Sequence, residues 1–130
     1  MSAFVDTNVL LYLISDDAAK AARAEAVLAA GPVISVQVLN EFTNVVRRKR
    51  ILDWDELELA LTSIRQCARV IDLTLAVHER GLRVARRYQL STYDALIVAA
   101  AQAASCTTLW SEDLQHGQVL DGLTVLNPFL

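Results

Sequence analysis

Asp6, Glu41, Asp94 and Asp113 are the residues of this chain whose type and placement best suit chemistry. Asp6 closes the short apolar run Ala3, Phe4 and Val5, and Asp113 follows a second apolar run through Leu109 and Trp110. Glu41 and Asp94 fall in the first turns of segments with helical character. In a parallel sheet the strand ends and the starts of the following helices share one edge, so all four carboxylates are predicted to project toward it. Carboxylates converging in a partly buried cleft repel one another and raise one another's pKa unless a cation neutralises them. An all-oxygen set without a convergent Cys or His cluster selects hard ions, favouring Mg2+ or Mn2+ over Zn2+. Carboxylate-held Mg2+ usually keeps waters and completes its shell with phosphate oxygens, which points to hydrolysis of phosphodiester bonds.

Taken singly, each acid has a plainer use. Asp94 fits an early helical turn, and Asp6 with Thr7 and Asn8 fits a helix cap. Their joint placement argues for chemistry. A carboxylate directly after an apolar strand, or beside an apolar stripe as Glu41 is, costs free energy when buried unpaired.

The elements that must position these acids read as an alternation of short strands and longer helices. Strands are predicted over 3–5, 32–35, 70–71, 108–110 and 123–125, each a brief apolar run between polar residues. Helices are predicted over 8–14, from a cap at Asp16 or Asp17 through 30, over 35–50, 53–68 and 74–88, and over 95–104 behind an S-x-x-D start at Ser91 to Asp94. Gly31-Pro32 stops the second helix. In the third, Val38, Leu39, Phe42, Val45 and Val46 form one apolar stripe with Glu41 on its flank. The segment containing Gly117 and Gly122 reads as a polar loop. The fold class is therefore α/β, a central, mostly parallel five-stranded sheet flanked by helices.

At 130 residues, 54% hydrophobic and 21% charged, with a mean hydropathy of +0.33, the chain reads as one domain over 1–130. Its length supports a full core, so folding needs no disulfide or structural metal. Cys67 and Cys106 lack C-x-x-C spacing, suit a reducing cytoplasm and are expected to act as small apolar residues. No secretory signal or run of membrane-spanning length is visible, which predicts a soluble protein. The net charge of −3, from 12 basic and 15 acidic residues, weighs against non-specific nucleic-acid binding. Without the four proposed ligands, 15 minus 4 leaves 11 acids against 12 bases, a remainder of +1 that is compatible with RNA.

Four segments together resemble the PIN-domain ribonucleases, in particular the VapC-like toxins of bacterial toxin-antitoxin pairs. They are Phe4-Val5-Asp6-Thr7-Asn8-Val9-Leu10, Leu39-Asn40-Glu41-Phe42, Ser91-Thr92-Tyr93-Asp94-Ala95-Leu96-Ile97 and Leu109-Trp110-Ser111-Glu112-Asp113-Leu114. The resemblance spans essentially the whole chain, and four motifs in order are far more specific than a lone D-T-N. It implies a PIN-like fold with Asp6, Glu41, Asp94 and Asp113 as a catalytic metal site, Asn8 and Ser111 as helpers, and Glu112 as the rival of Asp113 for the fourth place. It also implies a Mg2+- or Mn2+-dependent endoribonuclease, commonly a homodimer, silenced by an antitoxin that inserts a basic side chain into the acidic pocket.

Other residues carry weaker signals. Arg47, Arg48, Lys49 and Arg50 continue the helix bearing Glu41 and are candidate RNA phosphate contacts, although acids over 53–58 offer local neutralisation. Arg80, Arg83 and Arg87 share a helix face and read as solubilising surface. His116 is a candidate assistant to the phosphate or leaving group, His78 reads as surface, and Trp54 and Trp110 read as core or interface. Leu11 and Tyr12 are candidates for a dimer or antitoxin surface. Haloacid-dehalogenase-like chemistry fits less well, because its second Asp is here Asn8, and no glycine-rich nucleotide loop occurs. The remaining alternative is an inactive PIN-like module that binds RNA or a partner protein.

Overall fold

Five parallel strands and one antiparallel partner make a single sheet in the order β3-β2-β1-β4-β6-β5. The structure is a computed structural model and describes residues 2–130. Strands β1 (Ala3–Val5), β2 (Val33–Ser35), β3 (Arg69–Ile71) and β4 (Thr108–Trp110) are three residues each; β5 (Val119–Leu120) pairs with β6 (Leu123–Leu126). The helices are α1 (Thr7–Leu11), α2 (Ala18–Ala29), α3 (Val36–Arg48), α4 (Trp54–Cys67), α5 (Leu75–Tyr88) and α6 (Thr92–Ala103), with a 3-10 turn at Tyr12–Ile14.

The fold class expected from the sequence holds, with six strands in place of five. The added strand, β5, has only two residues, and Val119 faces solvent, so neither length nor alternation marks it against its polar surroundings. It is antiparallel to β6 across the turn at Asp121 and Gly122, where Gly122 takes φ +86°. The first helix is shorter than predicted, because its last turn tightens into the 3-10 form. The last begins at Thr92 rather than residue 95, with the Ser91 hydroxyl accepting from the Asp94 N–H.

The middle of helix α6 lies in the core, with Ala95 and Ile97 to Ala101 buried, and it packs on β2 and β6. Gly81 allows α5 to approach α6 closely, since a Cβ there would lie 2.6 Å from Leu96 Cδ2. On α3 the apolar stripe is seen as Val38, Phe42 and Val46, all buried, with Glu41 on its half-buried flank. Asp53 and Glu56 close a reciprocal capping box at the start of α4. Cys106 is buried as an apolar residue would be; Cys67, at the end of α4, is exposed instead. No helix among the described residues is long and apolar enough to cross a membrane.

Successive crossovers carry the chain from β1 outward through β2 to β3, after which β4 returns to the opposite side of β1. The carboxyl ends of β1 and β4 therefore flank a topological switch point, where open α/β sheets form a crevice. Asp6 and Ser111 stand immediately beyond those two ends.

Candidate active site

Asp6 extends β1 by one residue, its N–H donating to the Trp110 carbonyl at 2.9 Å, and then caps α1. Its carboxylate is only 5% exposed and is held on both oxygens. Oδ1 accepts from the Thr7 N–H at 2.7 Å, and Oδ2 accepts from the Ser111 hydroxyl at 2.8 Å and the Asn8 amide at 3.2 Å. These are neutral donors, and no ion pair neutralises Asp6 among the described residues. Desolvation, with smaller contributions from the charges of Asp113 and Glu41, pushes the Asp6 pKa up to about 6 against the relief given by Ser111 and Thr7.

Ser111 is fully buried and directs its single proton by elimination. Its Oγ accepts from the N–H groups of Asp113 at 3.3 Å and Leu114 at 3.4 Å, which leaves the hydroxyl hydrogen for Asp6. Asn8 bridges the two strand ends, with Nδ2 toward Asp6 and Oδ1 accepting from the Glu112 N–H at 3.1 Å. Both residues that the family resemblance offers as helpers thus contact Asp6.

Glu41 reaches the same edge from the second turn of α3 and is fixed by Thr7, whose hydroxyl donates to Oε1 at 2.6 Å. Thr7 is a positioning residue that the sequence reading passed over. Its place between Asp6 and Asn8 in the D-T-N motif was the available signal, but its target lies 34 positions away. Asp94 is half-buried in the first turn of α6. The acids whose charges press on Asp6 are Asp113 and Glu41; Asp94 is not among them. Among the described residues, no three His, Cys, Asp or Glu side chains are close enough, as they stand, to enclose an ion.

Glu112 and Asp113 part company in the structure. The Glu112 carboxylate accepts from the Tyr12 hydroxyl at 2.6 Å and from Lys20 Nζ at 3.0 Å, and these contacts hold its pKa below the usual range. Lys20 also lies 4.6 Å from the Tyr12 ring centroid. Asp113 is exposed, its carboxylate accepts no hydrogen bond among the described residues, and its charge acts on Asp6. Tyr12 and Lys20 are further residues that sequence reasoning did not connect with this loop, because their bonds cross about a hundred positions.

Two concavities adjoin these acids. One, lined by Gln37, Asn40, Glu41, Asn44, Tyr93 and Leu96, has a volume of about 450 Å³. The other, about 300 Å³, runs from Asn8 and Glu112 past Leu11, Tyr12 and Val45 to Lys49.

The remaining candidates divide. Arg47 stacks on Trp54 at 4.3 Å, and no ion pair links Arg47, Arg48, Lys49 or Arg50 to the acids over 53–58 among the described residues. Trp54 is 59% exposed, so it belongs to a surface cation–π pair and not to the core; Trp110 is half-buried. His116 is exposed and its Nδ1 accepts from the Asn127 N–H at 3.0 Å, a contact that ties the loop to the C-terminal segment. His78 is exposed.

A buried, hydrogen-bonded aspartate with further acids at the switch point of a mostly parallel sheet defines an α/β domain with an acidic edge. The chain belongs to the PIN domain family, whose model matches residues 3–119. Among solved structures it is similar to a toxin-antitoxin complex from Klebsiella pneumoniae, at 25% identity and a TM-score of 0.74 over 98% of each chain. It is also similar to VapC20 from Mycobacterium tuberculosis, described as a sarcin-ricin loop cleaving toxin. There the identity is 23% and the TM-score 0.67, over 86% of this chain and 90% of that one. VapBC2 from Rickettsia felis, bound to a promoter DNA fragment, matches at 17% identity and a TM-score of 0.73 over 96% and 97%. A search among curated protein sequences finds no match.

Proposed function

We propose that this chain is a VapC-like toxin, a metal-dependent endoribonuclease that hydrolyses RNA phosphodiester bonds at Asp6, Glu41, Asp94 and Asp113. The observation that carries the reading is the buried Asp6 carboxylate. It has no cationic partner among the described residues, its pKa is raised by burial, and two more acids act on it, so the site is one whose charge a cation would complete. The donors are oxygens throughout, which fits Mg2+ or Mn2+. Such an ion supplies positive charge against phosphate oxygens and lowers the pKa of a bound water.

The chain's own contribution is fixed geometry. Thr7, Asn8 and Ser111 hold both oxygens of Asp6, and Thr7 also holds Glu41, so these carboxylates need little reorganisation to meet a ligand. Asp113 is the fourth acid of this reading, because Glu112 is engaged by Tyr12 and Lys20. Hydrolysis then proceeds as an in-line displacement, with water adding at phosphorus and the phosphorus bond to the leaving oxygen breaking. The acids read phosphate and not bases, so target choice falls to the surrounding surface. The similarity to a toxin that cleaves an RNA loop supports a structured RNA as the substrate class.

The same reading gives a cytoplasmic protein that acts as a homodimer and is silenced by a cognate antitoxin, a partner supported by the similarity to a toxin-antitoxin complex. Leu11, Tyr12 and Val45 give the groove beside Glu112 the apolar surface such a partner needs, and Arg48, Lys49 and Arg50 have no ion pairs among the described residues that would compete with RNA phosphates. A second reading, a module that binds RNA or a protein without turnover, draws on the separation of the acids. Incubating the protein and Asp94→Asn with a pool of structured and unstructured RNAs in Mn2+, Mg2+ or EDTA decides between them. Discrete metal-dependent fragments that Asp94→Asn does not produce are expected; binding without cleavage under every condition would favour the second reading.

A further inference from the structure

One cavity, whose lining includes none of the four acids, is positively charged. It has a volume of about 640 Å³ and is lined by Arg80, Arg83, Arg86 and Arg87 of α5, Gln102 of α6 and Asp121 of the β5–β6 turn. That turn precedes β6, which runs parallel to β4, so Asp121 stands at the amino-terminal edge of the sheet, the edge opposite to the one where Asp6 stands. All four arginines are exposed. Arg87 pairs with Asp121 at 3.2 Å, and the other three have no ion pair among the described residues.

This arrangement is not that of a balanced solvated helix. Arg83 has like-charge neighbours at i−3, i+3 and i+4, the spacings at which helical side chains meet and repel. Glu79, at i−4 of Arg83, offsets part of this repulsion, and the helix C-terminus offsets part of that on Arg86 and Arg87, which leaves four arginines against one acid on this stretch of α5. Four guanidinium groups around one concavity, with one carboxylate among them, leave excess positive charge in a chain of net charge −3. Guanidinium favours phosphate, which it can engage through two parallel hydrogen bonds.

We infer that the α5 arginine cavity is a second RNA-binding site, one that grips the phosphate backbone of a folded RNA away from the scissile bond. The inference rests on the ribonuclease reading for its choice of polyanion. Helix α6 connects the two sites, with Asp94 in its first turn and Gln102 in its last. By the rise of an α-helix they lie on the order of 12 Å apart along its axis, a span a folded RNA covers and a mononucleotide does not. The α5 site supplies affinity and orientation; the acids carry out the chemistry.

Salt-dependent binding of the full-length protein to a fluorescein-labelled RNA hairpin, measured by anisotropy in EDTA, tests this separately from catalysis. Arg83→Glu is expected to weaken binding severalfold and to reduce the slope of log Kd against log salt by about one. Arg65→Glu, an equal charge change on α4, is expected to leave both nearly unchanged, and Arg83→Gln gives a variant with no new charge on the helix. Equal losses for Arg83→Glu and Arg65→Glu would show bulk charge alone and overturn the site. Competition by poly-glutamate that matches RNA would also overturn it, in favour of an acidic protein partner. If the wild type cleaves no RNA in Mn2+ but the Arg83 dependence holds, the nuclease reading fails and the cavity stands; if it cleaves and Arg83→Glu leaves the salt slope intact, the reverse is true.

Discussion

The Thr7 hydroxyl and the Glu41 carboxylate meet at 2.6 Å, joining the start of α1 to the second turn of α3. Thr7 also donates its N–H to Asp6, so one residue orients two of the acids proposed to work together. Thr7→Val keeps the shape and removes the hydroxyl. The expected result is a fall in kcat of about tenfold, near 1.4 kcal/mol in the barrier, with the circular dichroism spectrum unchanged and with rescue by Thr7→Ser.

Asp6 has a pKa of about 6 in the folded chain against an ordinary value of 3.8. The folded state therefore holds this proton more tightly than the unfolded state. Ionised Asp6 opposes folding, a penalty absent below about pH 4, growing between the two values and complete above pH 6. In EDTA, the stability difference between Asp6→Asn and the wild type should shift in favour of Asn by up to about 3 kcal/mol between pH 4 and pH 8. Urea denaturation of both proteins across that range measures it, and a pH-independent difference would contradict the shifted pKa.

Ser111→Ala removes the contact that most strongly lowers the Asp6 pKa and leaves the Asp113 and Leu114 N–H groups without their acceptor. A destabilisation of about 1–3 kcal/mol is expected from denaturant titration at pH 7. NMR titration of the Asp6 carboxyl should show its pKa higher still.

Glu112 and Asp113 are adjacent but have different predicted fates on substitution. Asp113→Asn should lower RNA cleavage at least tenfold with little change in stability, because its carboxylate is exposed and makes no hydrogen bond or ion pair among the described residues. Glu112→Gln should leave cleavage within about threefold and cost no more than about 1 kcal/mol, since its pair with Lys20 is partly exposed. The opposite pattern of rates would assign the fourth acid to Glu112.

Much of this arrangement was legible because local rules and tertiary packing agree. The run Ala3 to Val5 had to be a buried strand, Gly31 had to end a helix with φ +74°, and the acid after the strand had to face the crevice. Strand β5 was not legible, since a two-residue pairing takes its identity from β6 and not from its own pattern. Of the two places expected for Trp54, core or interface, the core is excluded by its exposure, and a cation from the preceding helix lies over the ring. The bonds from Thr7 to Glu41 and from Tyr12 and Lys20 to Glu112 depend on which side chains the sheet order brings together. No spacing within a motif encodes them.

The central claim is that a divalent cation completes the Asp6 site and that RNA hydrolysis depends on it. Single-turnover cleavage of a labelled RNA hairpin, titrated with Mn2+ for the wild type and for Asp6→Asn, tests it most directly. A saturable Mn2+-dependent rate is expected for the wild type, none in EDTA, and a loss of at least about a hundredfold for a folded Asp6→Asn. Full-rate cleavage by the metal-free wild type, or by Asp6→Asn in Mn2+, would contradict it.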